Sequence, residues 1–331
     1  MKRLLVYPFT LDMLPIARYY KGFTEYEDVL PIVEEGSVIP VNQDICCLDG
    51  GSSTGIKASA DFESALAVSD DVMFIGEPRD AQMHRKYITM AEGMGKKIIL
   101  YDTHLPEYNA QVSPEDKLAY IPVPIITVMG QGQQCNKFDI QLGLRRTLQK
   151  RGYKVSQVGT KRYSAAFGFC GLPAFPDFPL WKKILLYNRF FADIVRKESP
   201  DVLIVGIPGG IMPIDKYNQE LFGETAIAVS RSLSPDVSIL SMYLSQVEDN
   251  FLNDMTNYAK YALGTTLDFF HMSNTRLFLE RDMRTFGFIT TNCDDMPKIA
   301  RDNMFNVFAH DSAETVYERI VAQLQDNIEV L

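Results

Sequence analysis

Paired cysteines, long apolar runs and a surplus of basic charge are all missing from this 331-residue chain. Its five cysteines, Cys46, Cys47, Cys135, Cys170 and Cys293, are odd in number and contain no C-x-x-C pair, so they suggest neither a disulfide framework nor a zinc knuckle. Such cysteine usage fits a reducing cytoplasm. The opening MKRLLVYPFTLDML has an apolar run of about five residues before Asp12, too short for a signal-peptide core or a membrane span. It reads as a first strand. With 33 basic against 42 acidic side chains, net −9, the chain lacks the cationic excess that sequence-independent nucleic-acid binding needs, and it has no polybasic membrane anchor. His84, His104, His271 and His310 stand far apart and form no metal spacing or catalytic pair; His271, ending the apolar run TTLDFFH, reads first as a core or surface residue and second as one facing a site.

What is present is the composition of a folded protein, 46% hydrophobic and 23% charged, at a length that suggests two domains. Short apolar runs alternate with longer amphipathic segments, the pattern of a mostly parallel sheet covered by helices on both faces. We expect a Rossmann-like three-layer domain over residues 1–115, with strands at 3–7, 45–48, 71–75 and 97–101 and a helix over 79–94 that stops at Gly93 and Gly95. Residues 103–120, rich in proline and charge, read as a linker. A second three-layer domain, P-loop NTPase-like, is expected over 121–331. Its strands fall at 121–130, 153–158, 201–206, 237–244, 267–271, 276–280 and 286–290, with helices over 137–151, 181–198, 217–232, 250–263 and 312–327. Trp181, Ile184, Leu185, Phe191, Ala192 and Val195 share one face of the second of these helices. Asp294 and Asp295 read as an N-cap signal for a further helix over 296–303.

One segment carries chemistry. ITVMG (126–130) is a buried strand that runs through Gln131, Gly132, Gln133, Gln134, Cys135 and Asn136 into a helix beginning at Lys137 and Phe138. Glycines let main-chain amides face a common point, a helix start adds partial positive charge, and a lysine reaches terminal phosphates. The plain alternative is a strand-to-helix turn without function. Gly130 precedes Lys137 by one residue more than in G-x-x-x-x-G-K-[S/T]. Cys135 reads as a small core residue, with a thiol activated by the helix start as the alternative.

This spacing resembles the loop of dethiobiotin-synthetase-like P-loop proteins and of a related two-domain D-glutamate N-acetyltransferase group. RGYKVSQVGTK (151–161) looks like that group's second strand and following turn, and IVGIPGGIMPI (204–214) like its glycine-bearing stretch, so the similarity covers about residues 121 to 245. A closer resemblance is to the peptide maturation system protein family, whose G-x-G-x-x-C-x-K-F loop matches Gly130 to Phe138. That family is associated with clostridial gene clusters for radical-SAM-modified, cysteine-rich ribosomal peptides. The resemblance implies a phosphate site at Gly130 to Phe138, with Lys161 and Arg162 adding charge on the same edge, for ATP or GTP with Mg²⁺. It also implies a precursor peptide or radical-SAM maturase as partner.

Against the family pattern, Phe138 replaces the metal-holding hydroxyl, Asp139 stands where the acetyltransferase-like loop has one, and Gly206 aligns with the acidic residue that ends the third strand. Asp201 cannot substitute, because five steps along the strand put it about 16 Å from the ligand-binding edge. Any Mg²⁺ would fall to Asp139 and Asp215. We therefore expect nucleotide binding with weak or absent hydrolysis, or else a non-catalytic scaffold for a precursor peptide or maturation enzyme. Elsewhere, GGSSTGIK (50–57) nearly spells a second phosphate loop but reads better as a glycine-rich turn. PAFPDFPLW (173–181) reads as a loop over its own domain, with partner docking as the alternative.

Overall fold

A computed structural model describes residues 2–76, 78–101, 105–217, 219–245, 248–279, 286–299 and 301–329. His104 lies outside them. The chain divides into two compact units, Met1–His104 with Arg162–Gly168, and Leu105–Lys161 with Phe169–Leu331.

The first unit runs β1 (Lys2–Tyr7), α1 (Leu14–Tyr19), β2 (Tyr26–Pro31), α2 (Phe62–Val68), β3 (Asp71–Ile75), α3 (Ala81–Gly93) and β4 (Lys97–Tyr101). Its four strands are parallel in the order β2-β1-β3-β4. Local chemistry sets the helix starts: Pro15 fits the first turn of α1, Asp61 caps Ser64 N at α2, and Asp80 caps Gln82 N and Met83 N at α3. The core joins Leu5, Tyr7, Phe62, Leu66, Val72 and Phe74. The strand expected at 45–48 is instead a 3₁₀ turn, Ile45–Cys47, capped by the Asp44 carboxylate on Cys46 N. A short buried apolar run serves either structure, and periodicity cannot tell them apart.

The second unit runs β5 (Ile125–Gly130), α4 (Lys137–Lys150), β6 (Val155–Gly159), β7 (Cys170–Gly171), α5 (Leu180–Glu198), β8 (Val202–Gly206), α6 (Glu224–Ser232), β9 (Val237–Met242), α7 (Asp249–Tyr258), β10 (Phe269–Met272), β11 (Thr275–Leu279), β12 (Phe286–Thr290), β13 (Met304–Phe305) and α8 (His310–Glu329). Seven strands form a parallel sheet in the order β13-β10-β9-β5-β8-β6-β7, and β11 and β12 pair as an antiparallel ribbon. The expected α/β architecture with mostly parallel sheets is thus the one adopted. Alternate residues of β5 enter opposite cores: Ile126 and Val128 pack with Ile140, Leu144 and Val316, whereas Ile125 and Met129 pack with Phe191, Leu203 and Val229. A strand buried on both faces requires an unbroken apolar run, which β5 and β8 have.

Three expectations need correction. Residues 105–124 form no regular element, yet Tyr108, Val112, Ile121 and Val123 pack on the core, and Tyr108 donates to Asp193 at 2.7 Å. No helix occupies 296–299: a 3₁₀ turn, Cys293–Asp295, ends in extended backbone at Met296. Trp181 is 41% exposed, and the buried part of α5 begins at Lys183. No helix among the described residues is long and apolar enough to cross a membrane.

The connection leaving β5 runs toward β6, whereas β9 leads the other way, to β10. Between β5 and β9 the winding therefore reverses. Crevices of this kind, outside the carboxyl ends of the strands, are where open α/β sheets bind ligands.

Candidate functional site

At that reversal lies the turn from Gly130 to Lys137. Its carbonyls are engaged by its own unit: Gly132 O accepts from Lys137 Nζ at 2.6 Å, Gln133 O from the Tyr243 hydroxyl at 2.8 Å, and Cys135 O from the Ser241 hydroxyl. Gln131 is held at both ends, its N donating to Ser241 O at 2.9 Å and its side-chain oxygen accepting from Tyr243 N at 2.8 Å. Turning the carbonyls inward turns the amides outward. The amides of Gly132, Gln133, Gln134 and Asn136 donate to no group among the described residues. Gln134 (φ 55°) and Asn136 (φ 59°) are left-handed on either side of Cys135, which is not. Alternation of this kind makes a concave nest of N–H groups, and two non-glycine residues in that region are held there by their surroundings.

Lys137 opens α4, is 7% exposed, and donates also to Gly209 O at 2.5 Å. It ties the turn to the loop after β8, whose Ile211 N donates to Gly130 O at 2.9 Å. Glycine is obligatory where these loops meet. A Cβ at Gly132 would stand 2.3 Å from the Tyr243 hydroxyl, and one at Gly210 2.5 Å from Gln131 O.

Beneath the turn, His271 is fully buried and its Nδ1 lies 2.8 Å from Ser241 Oγ. Because the Ser241 hydroxyl donates to Cys135 O, its oxygen accepts from Nδ1–H, which leaves Nε2 as the unprotonated nitrogen. Burial lowers the His271 pKa to about 3, so the ring stays neutral. From the sequence, His271 reads first as a core or surface residue and second as one facing a site; its bond to Ser241 is not visible there. Ser241 and Tyr243 escaped it, since a lone serine and tyrosine beyond an apolar strand carry no motif.

The other expected site residues fall in several places. Phe138 is buried and packs its ring against Phe169, centroids 5.8 Å apart. Cys135 is buried, its thiol directed at Gln133 O. Lys161 follows β6 on the carboxyl edge, whereas Arg162 belongs to the first unit.

For magnesium the residues present do not fit. Asp139 is buried and acts electrostatically on Tyr317 of α8, whose pKa is raised by burial first and by that carboxylate second. Asp215 accepts from Tyr217 N at 2.7 Å within its own loop. The space where an acidic side chain would project from Gly206 is filled: a Cβ there would lie 2.4 Å from Gln141 Oε1. Gln141 is fully buried and donates to Val158 O at 2.9 Å. Among the described residues no three His, Cys, Asp or Glu side chains are grouped to hold a metal ion.

GGSSTGIK, in the first unit, is a glycine-rich turn closed on itself. Asp44 Oδ2 accepts from the Ser53 hydroxyl at 2.7 Å, Thr54 N at 2.8 Å and Gly55 N at 2.6 Å.

No protein-family model matches the sequence, and no curated protein does. Among solved structures, a DUF1611 family protein from Anabaena variabilis superposes with a TM-score of 0.53 at 11% identity, over 82% of this chain and 88% of that one. That likeness is one of fold. Partial likenesses join the chain to a GTPase in apo form from Pyrococcus abyssi (TM-score 0.28, 16% identity, 45% of this chain and 66% of that one) and to chloroplast FtsY from Physcomitrella patens (0.27, 17%, 49% and 53%). At those scores neither bears on function.

Proposed function

We propose that the second unit binds the phosphate groups of a nucleotide, ATP or GTP, at Gly130 to Phe138, and that it does so with little or no hydrolysis. The observation that carries this reading is the set of amides at Gln133, Gln134 and Asn136 that donate to no group among the described residues, in a turn that runs into a helix start at Lys137. Phosphate oxygens suit such a nest, because each amide supplies a fixed donor and the helix end a partial positive charge. Turnover would need charge neutralised on the transferring phosphoryl group, usually through metal ions. Here the Phe138 ring stands at one hydroxyl position, the Asp139 carboxylate at the other is buried, and the Gln141 amide fills the space beside Gly206.

Calorimetry tests the reading, with ATP and GTP titrated in EDTA and in Mg²⁺ on the natural protein and on Lys137→Met. Saturable heat with the natural protein, little changed by Mg²⁺ and weakened at least about tenfold by the substitution, is expected. No heat from either protein overturns it.

The biological setting we assign, an accessory role in maturing a ribosomal peptide, is supported by the likeness of the Gly130 to Phe138 loop to that of the peptide maturation system proteins. Deleting the gene is expected to leave the precursor peptide incompletely modified by mass spectrometry. Unchanged maturation overturns the assignment. The scaffold reading parts from the nucleotide reading in one measurement: it requires capture of the precursor peptide or maturase with no nucleotide heat.

A further inference from the structure

A cavity of about 560 Å³ opens in the second unit beside the carboxyl ends of β9 and β10. It shares no residue with the turn 130–137, although Leu244 in its wall directly follows Tyr243, which braces that turn. Its floor is apolar, with the buried Leu244, Met272 and Met304 coming from the core beneath the sheet. Its wall is cationic: Arg276, Lys298 and Arg301 face a single carboxylate, Asp295. Arg301 is already paired, to Asp249 at 2.5 Å. Arg276 and Lys298 have no hydrogen-bond or ion-pair partner among the described residues.

We propose that this cavity binds an organic acid with an apolar body, its carboxylate on Arg276 and Lys298 and its hydrocarbon over Leu244, Met272 and Met304. The volume is that of a small-molecule site, and an apolar chamber with a few convergent polar groups is the usual form of one. A guanidinium offers a planar fork that matches a carboxylate, and a neighbouring ammonium adds charge. Phosphate is the poorer occupant, because the wall is built of side chains over an apolar floor and lacks the amide nest found at the turn. The inference does not rest on nucleotide binding, so either can fail alone.

The test follows the methyl resonances of labelled methionine while hexanoate, hexanamide and hexylammonium are titrated into the full chain. Hexanoate is expected to bind saturably with shifts at Met272 and Met304, and hexanamide about tenfold more weakly, the usual effect of losing a charge-assisted contact. Hexylammonium is expected not to bind. Arg276 and Lys298 are exposed, so the double variant Arg276→Gln, Lys298→Gln should keep its fold, verified by its own methyl spectrum, and lose the preference for acid over amide. Equal binding of acid and amide to the natural protein, shifts confined to other methionines, or no acid binding at millimolar concentration overturns the proposal. A second arm compares a leucine-ended tripeptide with its amidated form. Tight binding of the free form alone assigns the carboxylate to a peptide terminus, and its exclusion while hexanoate binds assigns it to a small acid.

Discussion

Lys137 has two roles that substitution can separate. Its ammonium donates to the carbonyls of Gly132 and Gly209, and it carries its charge at the start of α4 beside the turn. Lys137→Met should therefore lower stability by about 1–3 kcal/mol through carbonyls left unpaired, as well as weaken anion binding. Urea unfolding of the ligand-free protein isolates the first effect. His271 offers a second measurement. Its folded pKa, lowered by burial to about 3, lies below the ordinary value of 6.5, so protons favour the unfolded chain. The stability this provides is complete above pH 6.5 and drains as pH falls toward 3, by up to about 1.4 kcal/mol per pH unit. His84, also lowered by burial but only partly buried, acts in the same direction. Urea midpoints followed from neutral pH downward should fall more steeply for the natural protein than for His271→Asn, whose amide can still donate to Ser241. Parallel slopes would refute a neutral, buried imidazole. The lysine was legible in the sequence because its position at a helix start after two glycines defines its task. The histidine's task was not, since it depends on β10 lying beside β9 in register, His271 opposite Ser241.

Two glycine-rich turns, one in each unit, show what decides function at the scale of an element. Both follow a buried apolar run, and both were readable as phosphate loops. In the first unit the amides of Thr54 and Gly55 are spent on Asp44, whose pKa burial would raise but whose hydrogen bonds, led by Ser53, hold it below the usual carboxylate range. In the second unit no carboxylate among the described residues accepts from the amides of the turn, and the carbonyls are pinned instead. Hydrogen exchange separates the two. The amides of Gln133 and Gln134 should exchange quickly in the ligand-free protein and slow on adding ATP, whereas Thr54 and Gly55 should be slow throughout and quicken in Asp44→Ala. That substitution should also destabilise the first unit by about 1–3 kcal/mol. As Asp44 is ionised in the fold with a lowered pKa, its contribution is present above the carboxylate range and is lost as pH falls through it. Sequence spacing exposed the glycines of both turns but not the acceptor of the first, Asp44, which stands before the 3₁₀ turn. The same limit hid β2, whose YEDVLP mixes acidic residues with proline, and α2, too short at Phe62–Val68 to display a periodic face.

At the scale of the whole molecule, a linear reading assigns each domain one continuous stretch, whereas this chain returns to its first unit at Arg162–Gly168. Aromatic chemistry explains why. Phe167, 4% exposed, meets Tyr20 edge-on with centroids 5.3 Å apart and Phe23 at 5.9 Å, and the Tyr163 hydroxyl donates to Asp12 O at 2.5 Å. Such contacts between residues so far apart in sequence leave no periodic signal. They make Phe167 a core residue of a unit from which it is distant along the chain. Phe167→Ala should then cost the first unit about 3–5 kcal/mol, the usual penalty for emptying a buried phenylalanine site. Amide exchange should accelerate around Tyr20 to Tyr26, where the ring packs, and remain unchanged in α4 and α8, which belong to the other unit. Equal acceleration in α4 and α8 would mean that the units unfold as one cooperative body and that the turn 163–167 has no special tie to the first. Protection lost only near Tyr20 would establish that the second unit keeps its own core when the first is loosened, and that the turn 130–137 can be assayed in variants with a weakened first unit.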